Sequence, residues 1–433
     1  MLFKLQGIMR CILSIIFFEL LFSQNYPNYE IIEINNPYPD PLFLYIMSEE
    51  NKFMTIFDSD INVKWHVHSN NMGLDFKVNQ NYLSYFHRTD GSWILLDTLM
   101  IEKDTLWCES PYMADYHDIQ ILENGNYIIQ AYDSRFIDMS NLVEGGQNVA
   151  WIKGILILQE FNSDHELIFH WDAWEHLDIV DYTNLILTAD NISWMHSNSI
   201  EVDNDGHLLI SNRASSEIFK INKQTNEVIW HLGGPLNEFD IINDSNQGFS
   251  MQHDVRRLEN GNIMLFDNGV LHTPPISRVL EYEIDENQKN ANLVWEYIHP
   301  DSLLGLAMGS AQRLPNGNTL INWGTISHQG AIITEVTYEG IIALEIRYPI
   351  QYKAYKARKN NWSFSVNTLD GDTNFDGAID IMDLNYIIDF NIQENANLNI
   401  YHLFRYDLDK NGIINSSDIE VVIDLLLEIY TIF

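Results

Sequence analysis

Cysteine is nearly absent from this chain: Cys11 and Cys108 are the two in 433 residues. Positive charge is scarce as well, with 24 Lys and Arg against 61 Asp and Glu and a formal net charge of −37. So acidic a surface repels nucleic acid and anionic membrane, which excludes both as expected partners. Any anionic substrate must therefore be drawn in by a local positive pocket. Long apolar runs are missing too. The clearest, Cys11 to Phe22, is short for a membrane span. It follows Lys4 and Arg10 and precedes Ser23-Gln24, the order of an export signal over residues 1–24. Cys11 would leave with the signal and Cys108 would stand alone, so the mature chain forms no intrachain disulfide. The expected location is secreted, periplasmic or extracellular, with no membrane insertion after cleavage.

What the chain does have is repetition. Ser250 to Gly269 reads as strand, tight turn, strand, with Asn260-Gly261 as the turn signal because both residues tolerate positive φ. The run Ile263 to Phe266 has the unbroken apolarity of a strand buried on both faces. Near-copies begin at His117, His196 and Gly309, and a degraded copy spans Gly73 to Leu83. Each unit continues into a second hairpin that ends in an aromatic, as at Trp171, Trp230 and Trp295. Repeats of this length, with several strands each, indicate radial repetition; the expected fold is all-β, a six-bladed β-propeller over residues 25–368. The hairpin from Phe53 to Trp65 has no first half before it. It is expected to complete the last unit, or an incomplete one after it, and so close the ring. The second unit is longer than its neighbours, with the excess in Asp138–Val149 and Asp172–Met195. The latter stretch and its flank carry Trp171, Trp174, His176, Tyr182 and Trp194, either as a pocket wall for an aromatic ligand or as a loop packed on its own rings.

From residue 369 to 433 the composition changes. Asp372, Asn374, Asp376, Asp380 and Asp383 occupy positions one, three, five, nine and twelve of a calcium loop, with Gly377 at six and the Ala378 carbonyl at seven. Asp407, Asp409, Asn411, Ile413, Asn415 and Asp418 repeat the pattern 35 residues on. Each loop precedes an apolar, helix-like segment, Leu384 to Phe390 and Ile419 to Ile429. Two such loops with one helix each resemble a dockerin domain. That resemblance implies a small α-helical domain, two structural Ca2+ ions and a cohesin-like protein partner.

Three histidines, His117, His196 and His253, open the first strand of successive units, where a propeller brings separate blades to one rim of its channel. Arg213 follows the buried strand Leu208 to Ile210. Converging imidazoles fit two chemistries: a metal held by three His, or transfer of an anionic group with one His as nucleophile and Arg clamping the oxyanion. A fixed guanidinium repels a dication, which weighs against the metal. The plain structural alternative is three histidines each satisfying a backbone carbonyl.

His117-Asp118, His196 to Ser199, Ser211-Asn212-Arg213, and Gln252-His253-Asp254 through Asp267-Asn268-Gly269 resemble the arylsulfotransferase family, over roughly Phe53 to Tyr355. The resemblance implies an exported six-bladed propeller that moves a sulfuryl group from a small phenolic sulfate ester to a phenol, with no nucleotide cofactor (independent of PAPS). Carried across, His253 is the nucleophile that becomes a transient sulfohistidine, while His117, His196 and Arg213 bind sulfate oxygens and assist the leaving phenolate. The alternative, from another class, is a non-catalytic ligand-binding propeller displayed on a scaffold through its dockerin; a hydrolase or lyase using the same channel is a third.

Overall fold

The computed structural model describes residues 26–69, 72–364, 371–375, 378–392 and 400–431. The export signal, the boundary at 368 and Asp376 lie outside these residues. Six sheets make a closed ring, as the repeats require. Blade I holds Met72–Asn79, Tyr82–His87, Ser92–Leu96 and Glu102–Leu106. Blade II holds Ala114–Ile121, Tyr127–Ile137, Ala150–Phe161 and Leu167–Asp172. Blade III runs through Ser197–Val202, Leu208–Asn212, Glu217–Ile221 and Val228–Gly233. Blade IV is His253–Arg257, Ile263–Asp267, Arg278–Asp285 and Asn290–Tyr297. Blade V is Ser310–Arg313, Thr319–Asn322, Ile332–Val336 and Ile342–Arg347.

Blade VI closes the ring. Its inner strand, Lys353–Lys359, pairs with Leu42–Met47, which continues into Lys52–Phe57 and Val63–His68. The orphan hairpin thus completes a separate blade rather than the last written unit. An additional strand, Glu30–Ile34, covers the outer edge of blade V by pairing with Ile342–Arg347. Both ends of the propeller are therefore fastened to chain that is remote in sequence.

In blades II to V the turn between the first two strands follows one design. At Asn260-Gly261 only the glycine takes positive φ, at 88°. Asn260 instead stays in ordinary geometry, where its side-chain oxygen accepts the Asn262 N–H at 3.0 Å. The same closure occurs at Asn124, Asp205 and Asn316. This explains why Asp replaces Asn without loss in blade III: an acceptor two residues back is what the turn needs. Outer-strand tryptophans tie blades together. Trp171 donates to the Asn226 carbonyl at 2.9 Å and Trp295 to that of Tyr338 at 2.8 Å, each on the following blade.

The inner strands enclose a channel filled by an ion-pair layer. Arg256 bridges Asp118 at 2.7 Å and Asp254 at 2.9 Å. Lys77 bonds Asp75 at 2.5 Å and Asp118 at 2.6 Å. Lys356 reaches Asp75 at 3.2 Å and the His117 carbonyl at 2.7 Å. Burial alone would raise Asp118, but Arg256, Lys356 and Lys77 hold it well below the usual carboxylate range. Beyond the layer, at the opposite mouth, lies a cavity of about 300 Å³ whose lining includes Lys77, Arg256, Gln312 and Arg358.

The C-terminal helices are Ile381–Ile392, Ile400–Tyr406 and Ser416–Thr431. The middle one lies between the two expected helices and was not legible as a separate element. It is packed against blade VI: Ile400, Leu403 and Phe404 share a core with Phe43, Met54 and Trp65. Gly412 sits so close to that blade that an added Cβ would lie 3.0 Å from the His68 Cβ.

The ion layer yields a test. Arg256→Met would leave Asp118 and Asp254 buried without their shared cation, at an expected cost of about 3–5 kcal/mol. Denaturant unfolding reads this directly, and a loss below about 1 kcal/mol would show that Lys77, Lys356 and Arg358 suffice.

Candidate active site

In every blade the inner strand starts, and the second strand ends, at the same rim. His253 is the first residue of its inner strand, Arg213 the first after Leu208–Asn212, and Asn268 the first after Ile263–Asp267. His196 directly precedes Ser197–Val202, and His117 lies within Ala114–Ile121. The pairing of blade IV slips between His253 and Arg256, and Asp254 has φ of 60°. Such a bulge re-aims the side chain beside it. The Asp254 carboxylate holds it in place by bonding Arg256 and accepting the Ala311 N–H at 3.0 Å from blade V.

His253 is buried, 3% exposed. Its Nδ1 lies 2.6 Å from the Asn268 Oδ1. The Asn268 amide nitrogen donates to the carbonyls of Gly305 at 2.8 Å and Met308 at 3.0 Å, so the oxygen is the atom that faces the ring. An oxygen there requires hydrogen on Nδ1, which leaves the Nε2 lone pair free. Burial pushes the ring pKa down to about 3; the Asn268 bond opposes this, and the charges of Arg213, His117 and His196 add to it.

His117 is held differently. Its Nδ1 sits 2.5 Å from Asp115 Oδ1, which also accepts from Gln130 at 2.7 Å. Burial would raise Asp115, but His117 outweighs it and the carboxyl is lowered. The His117 ring stacks on Tyr116 at 4.2 Å and meets the edge of His196 at 4.7 Å. His196 is depressed to about 4, by burial first and then by His117 and Arg213.

Arg213 is the exceptional cation. It donates to the Leu306 carbonyl at 3.1 Å, its Nε is buried with no partner, and no carboxylate pairs with it among the described residues. Burial lowers its pKa. Arg256, Arg278 and Arg358, by contrast, all have carboxylate partners. A half-buried guanidinium left unpaired in so acidic a chain is suited to an incoming anion. The four residues singled out from the sequence do converge. Asp115 and Asn268, which set the ring states of His117 and His253, were missed. Asp115 lies two residues before its histidine and Asn268 sits in a stretch already noted, but neither position announces a side-chain contact.

The aromatic loop of blade II is not a pocket wall. Trp171, Tyr182 and Trp194 are wholly buried, and Trp194 meets Trp174 and Tyr182 edge-on. The loop packs on its own rings.

In the C-terminal segment, carboxylate oxygens of Asp407, Asp409 and Asp418 lie within 4.8 Å of one another. Asp418 accepts the N–H groups of Leu408 at 2.7 Å, Asp409 at 3.2 Å and Asn415 at 2.9 Å. Asp383 accepts those of Thr373 at 2.7 Å, Asn374 at 3.1 Å and Asp380 at 2.8 Å, the same loop positions. The described residues of the two loops thus make the same three N–H contacts to the last carboxylate; Asp376 and Gly377 lie outside the described residues.

A family model described as Arylsulfotransferase (ASST) matches residues 29–360. No curated protein sequence matches the chain. Among solved structures it is similar to a protein of unknown function from Bacteroides caccae, at 12% identity and TM-score 0.47, over 74% of this chain and 98% of that one. It is similar to the β-propeller domain of Cps50 (Swd1) from Myceliophteria thermophila at 11% identity and TM-score 0.42, over 75% and 88%. A virginiamycin B lyase from Staphylococcus aureus is similar at 10% identity and TM-score 0.39, over 75% and 89%. The blade count rests on the sheet pairing above.

The two depressed histidines set a pH signature. Unfolded, they titrate near 6.5; folded, His253 titrates near 3 and His196 near 4. The unfolded chain binds more protons inside that window, so their contribution to stability is lost as pH falls from about 6.5 toward about 4. Imidazole NMR should show neither ring titrating between about pH 5 and about pH 8. A midpoint inside that range would mean that water reaches the rings.

Proposed function

The chain belongs to the arylsulfotransferase family and is an aryl sulfotransferase that needs no PAPS, and we propose that it works through a sulfohistidine formed on His253. The observation that carries this mechanism is the pairing of a neutral, desolvated His253 with the unpaired Arg213 guanidinium. Sulfuryl transfer, like phosphoryl transfer, spreads charge over peripheral oxygens in a loose transition state, so placement and cationic donors matter most.

The first step forms a bond between His253 Nε2 and sulfur and breaks the bond from sulfur to the phenolic oxygen. The electron pair of the broken bond leaves on the phenolate. The sulfated ring becomes cationic, and its Nδ1–H donates to Asn268 more strongly. Burial that disfavours a ring cation keeps this intermediate high in energy and ready to transfer. Arg213 and His196 hold the sulfate oxygens, while His117, backed by Asp115, donates toward the leaving oxygen when protonated. In the second step an acceptor phenol oxygen attacks sulfur, loses its proton to the same His117, and Nε2 recovers its lone pair.

Release of nitrophenolate from p-nitrophenyl sulfate in the presence of phenol tests the scheme. His253→Ala is expected to lose at least about three orders of magnitude in kcat. Arg213→Gln should lose about 10²–10³. Protein given donor alone and quenched in alkali, which spares the acid-labile N–S bond, should carry a sulfuryl group on His253; turnover in His253→Ala equal to wild type would rule the nucleophile out.

The C-terminal segment is proposed to be a dockerin-like module that takes two structural calcium ions and a cohesin-like protein, on a secreted enzyme. Asp407, Asp409 and Asp418 converge in the way a hard dication requires, and the matching form of the loop around Asp383 supports a second ion. Carbonyls of Ala378 and Ile413 would complete the oxygen sets, with Asn374, Asp380, Asn411 and Asn415. A bound calcium ion supplies charge neutralisation for these crowded carboxylates and no chemistry on sulfate. Calcium should raise the thermal midpoint of the helical signal by several degrees, and a chelator should reverse it. An unchanged midpoint in millimolar calcium would remove this assignment.

A further inference from the structure

Arg213 and Asn268 share a topological address: each is the first residue after the second strand of its blade. Arg88 has that address in blade I, directly after Tyr82–His87, and so stands on the same rim. It is exposed and makes no hydrogen bond or ion pair among the described residues. Its one contact is with a ring: the guanidinium carbon lies 5.6 Å from the centroid of Tyr116.

Tyr116 is in turn stacked on His117 at 4.2 Å, and His117 meets His196 at 4.7 Å. Arg88, Tyr116, His117 and His196 therefore form a row that leads along the rim to the sulfate-binding group. A free cation thus stands over an aromatic ring that is itself stacked on His117.

We propose that Arg88 forms a subsite for a second anionic group at the far end of the aryl ring. The substrates are then phenols and phenolic sulfates that carry a carboxylate or a comparable anion, rather than neutral phenols. The physical reason is charge. In a protein of net charge −37 a dianionic aryl sulfate is repelled at long range, and two separated unpaired cations, Arg213 and Arg88, offer each of its ends a counter-charge. This substrate class rests on the sulfuryl-transfer reading of the His253 site, though the subsite itself is a matter of binding.

Two measurements on the full chain separate the two ideas. The first is equilibrium binding of 4-hydroxybenzoate and of phenol by calorimetry, which needs no turnover. Wild type should bind the benzoate about tenfold more tightly, and Arg88→Gln should bind both alike. Added salt should weaken the preference as well. The second compares kcat/KM for 4-carboxyphenyl sulfate and p-nitrophenyl sulfate as donors, then 4-hydroxybenzoate and phenol as acceptors. A preference lost in Arg88→Gln on the donor side or on the acceptor side identifies which substrate uses the subsite. Equal binding of phenol and 4-hydroxybenzoate by wild type, or an Arg88→Gln variant that weakens both equally, overturns the proposal. A wild-type protein that shows the binding preference but transfers no sulfuryl group would instead overturn the sulfotransferase mechanism and leave the subsite standing.

Discussion

The structure depends on a buried layer of ion pairs that spans the channel between blades. Arg256 of blade IV holds Asp118 of blade II and Asp254 of its own blade, and also donates to the Ile200 carbonyl of blade III at 2.8 Å. Lys77 and Lys356 bring blades I and VI onto the same carboxylates. Charges this deep are tolerable only because every member has several partners; a half-satisfied layer would be worse than an apolar one. The carboxylates are the residues directly after His117 and His253. The layer that joins the blades therefore also fixes the backbone from which the reactive imidazoles project, and it separates them from the cavity at the opposite mouth.

Above that layer the balance of charge reverses. Below, every cation has a carboxylate; at the rim, Arg213 and Arg88 have none among the described residues. The same burial that the paired layer offsets with counter-charges depresses His253 and His196, which have no carboxylate of their own, while His117 keeps Asp115. One histidine is thus left neutral with a fixed tautomer, and another is held by a carboxylate. The division of labour follows from which neighbour each ring has, Asn268 or Asp115, and not from any difference between the histidines themselves.

Closure of the ring relates the two halves of the molecule. Blade VI takes its inner strand from the end of the propeller and the rest from its beginning, so neither end can fray without opening the ring. The C-terminal helices pack onto this same blade and share its core. The tail is therefore a structural neighbour of the closing blade, not an appendage on a free tether, and the loop that holds Asp407, Asp409 and Asp418 lies beside His68.

The sequence by itself determined the blade repeat and the six-fold count, and it nominated the two loop patterns of the tail and four residues that the structure brings to one rim, because each is written in local spacing. An acceptor two residues before a turn amide, an apolar run of strand length, and oxygens at alternate positions need only a few consecutive residues to be recognised. Only the tertiary structure decided the rest. That Asp115 backs His117 and that Trp174 meets Trp194 edge-on are outcomes of side-chain packing within blade II, and that Arg256 is paired while Arg213 is not is an outcome of contacts between blades. Such contacts join residues far apart in the chain, 239 positions in the case of Lys356 and His117. Strand spacing records which face a side chain occupies, but not which neighbour meets it across the channel. In this protein it is the neighbour that sets protonation, pairing and access.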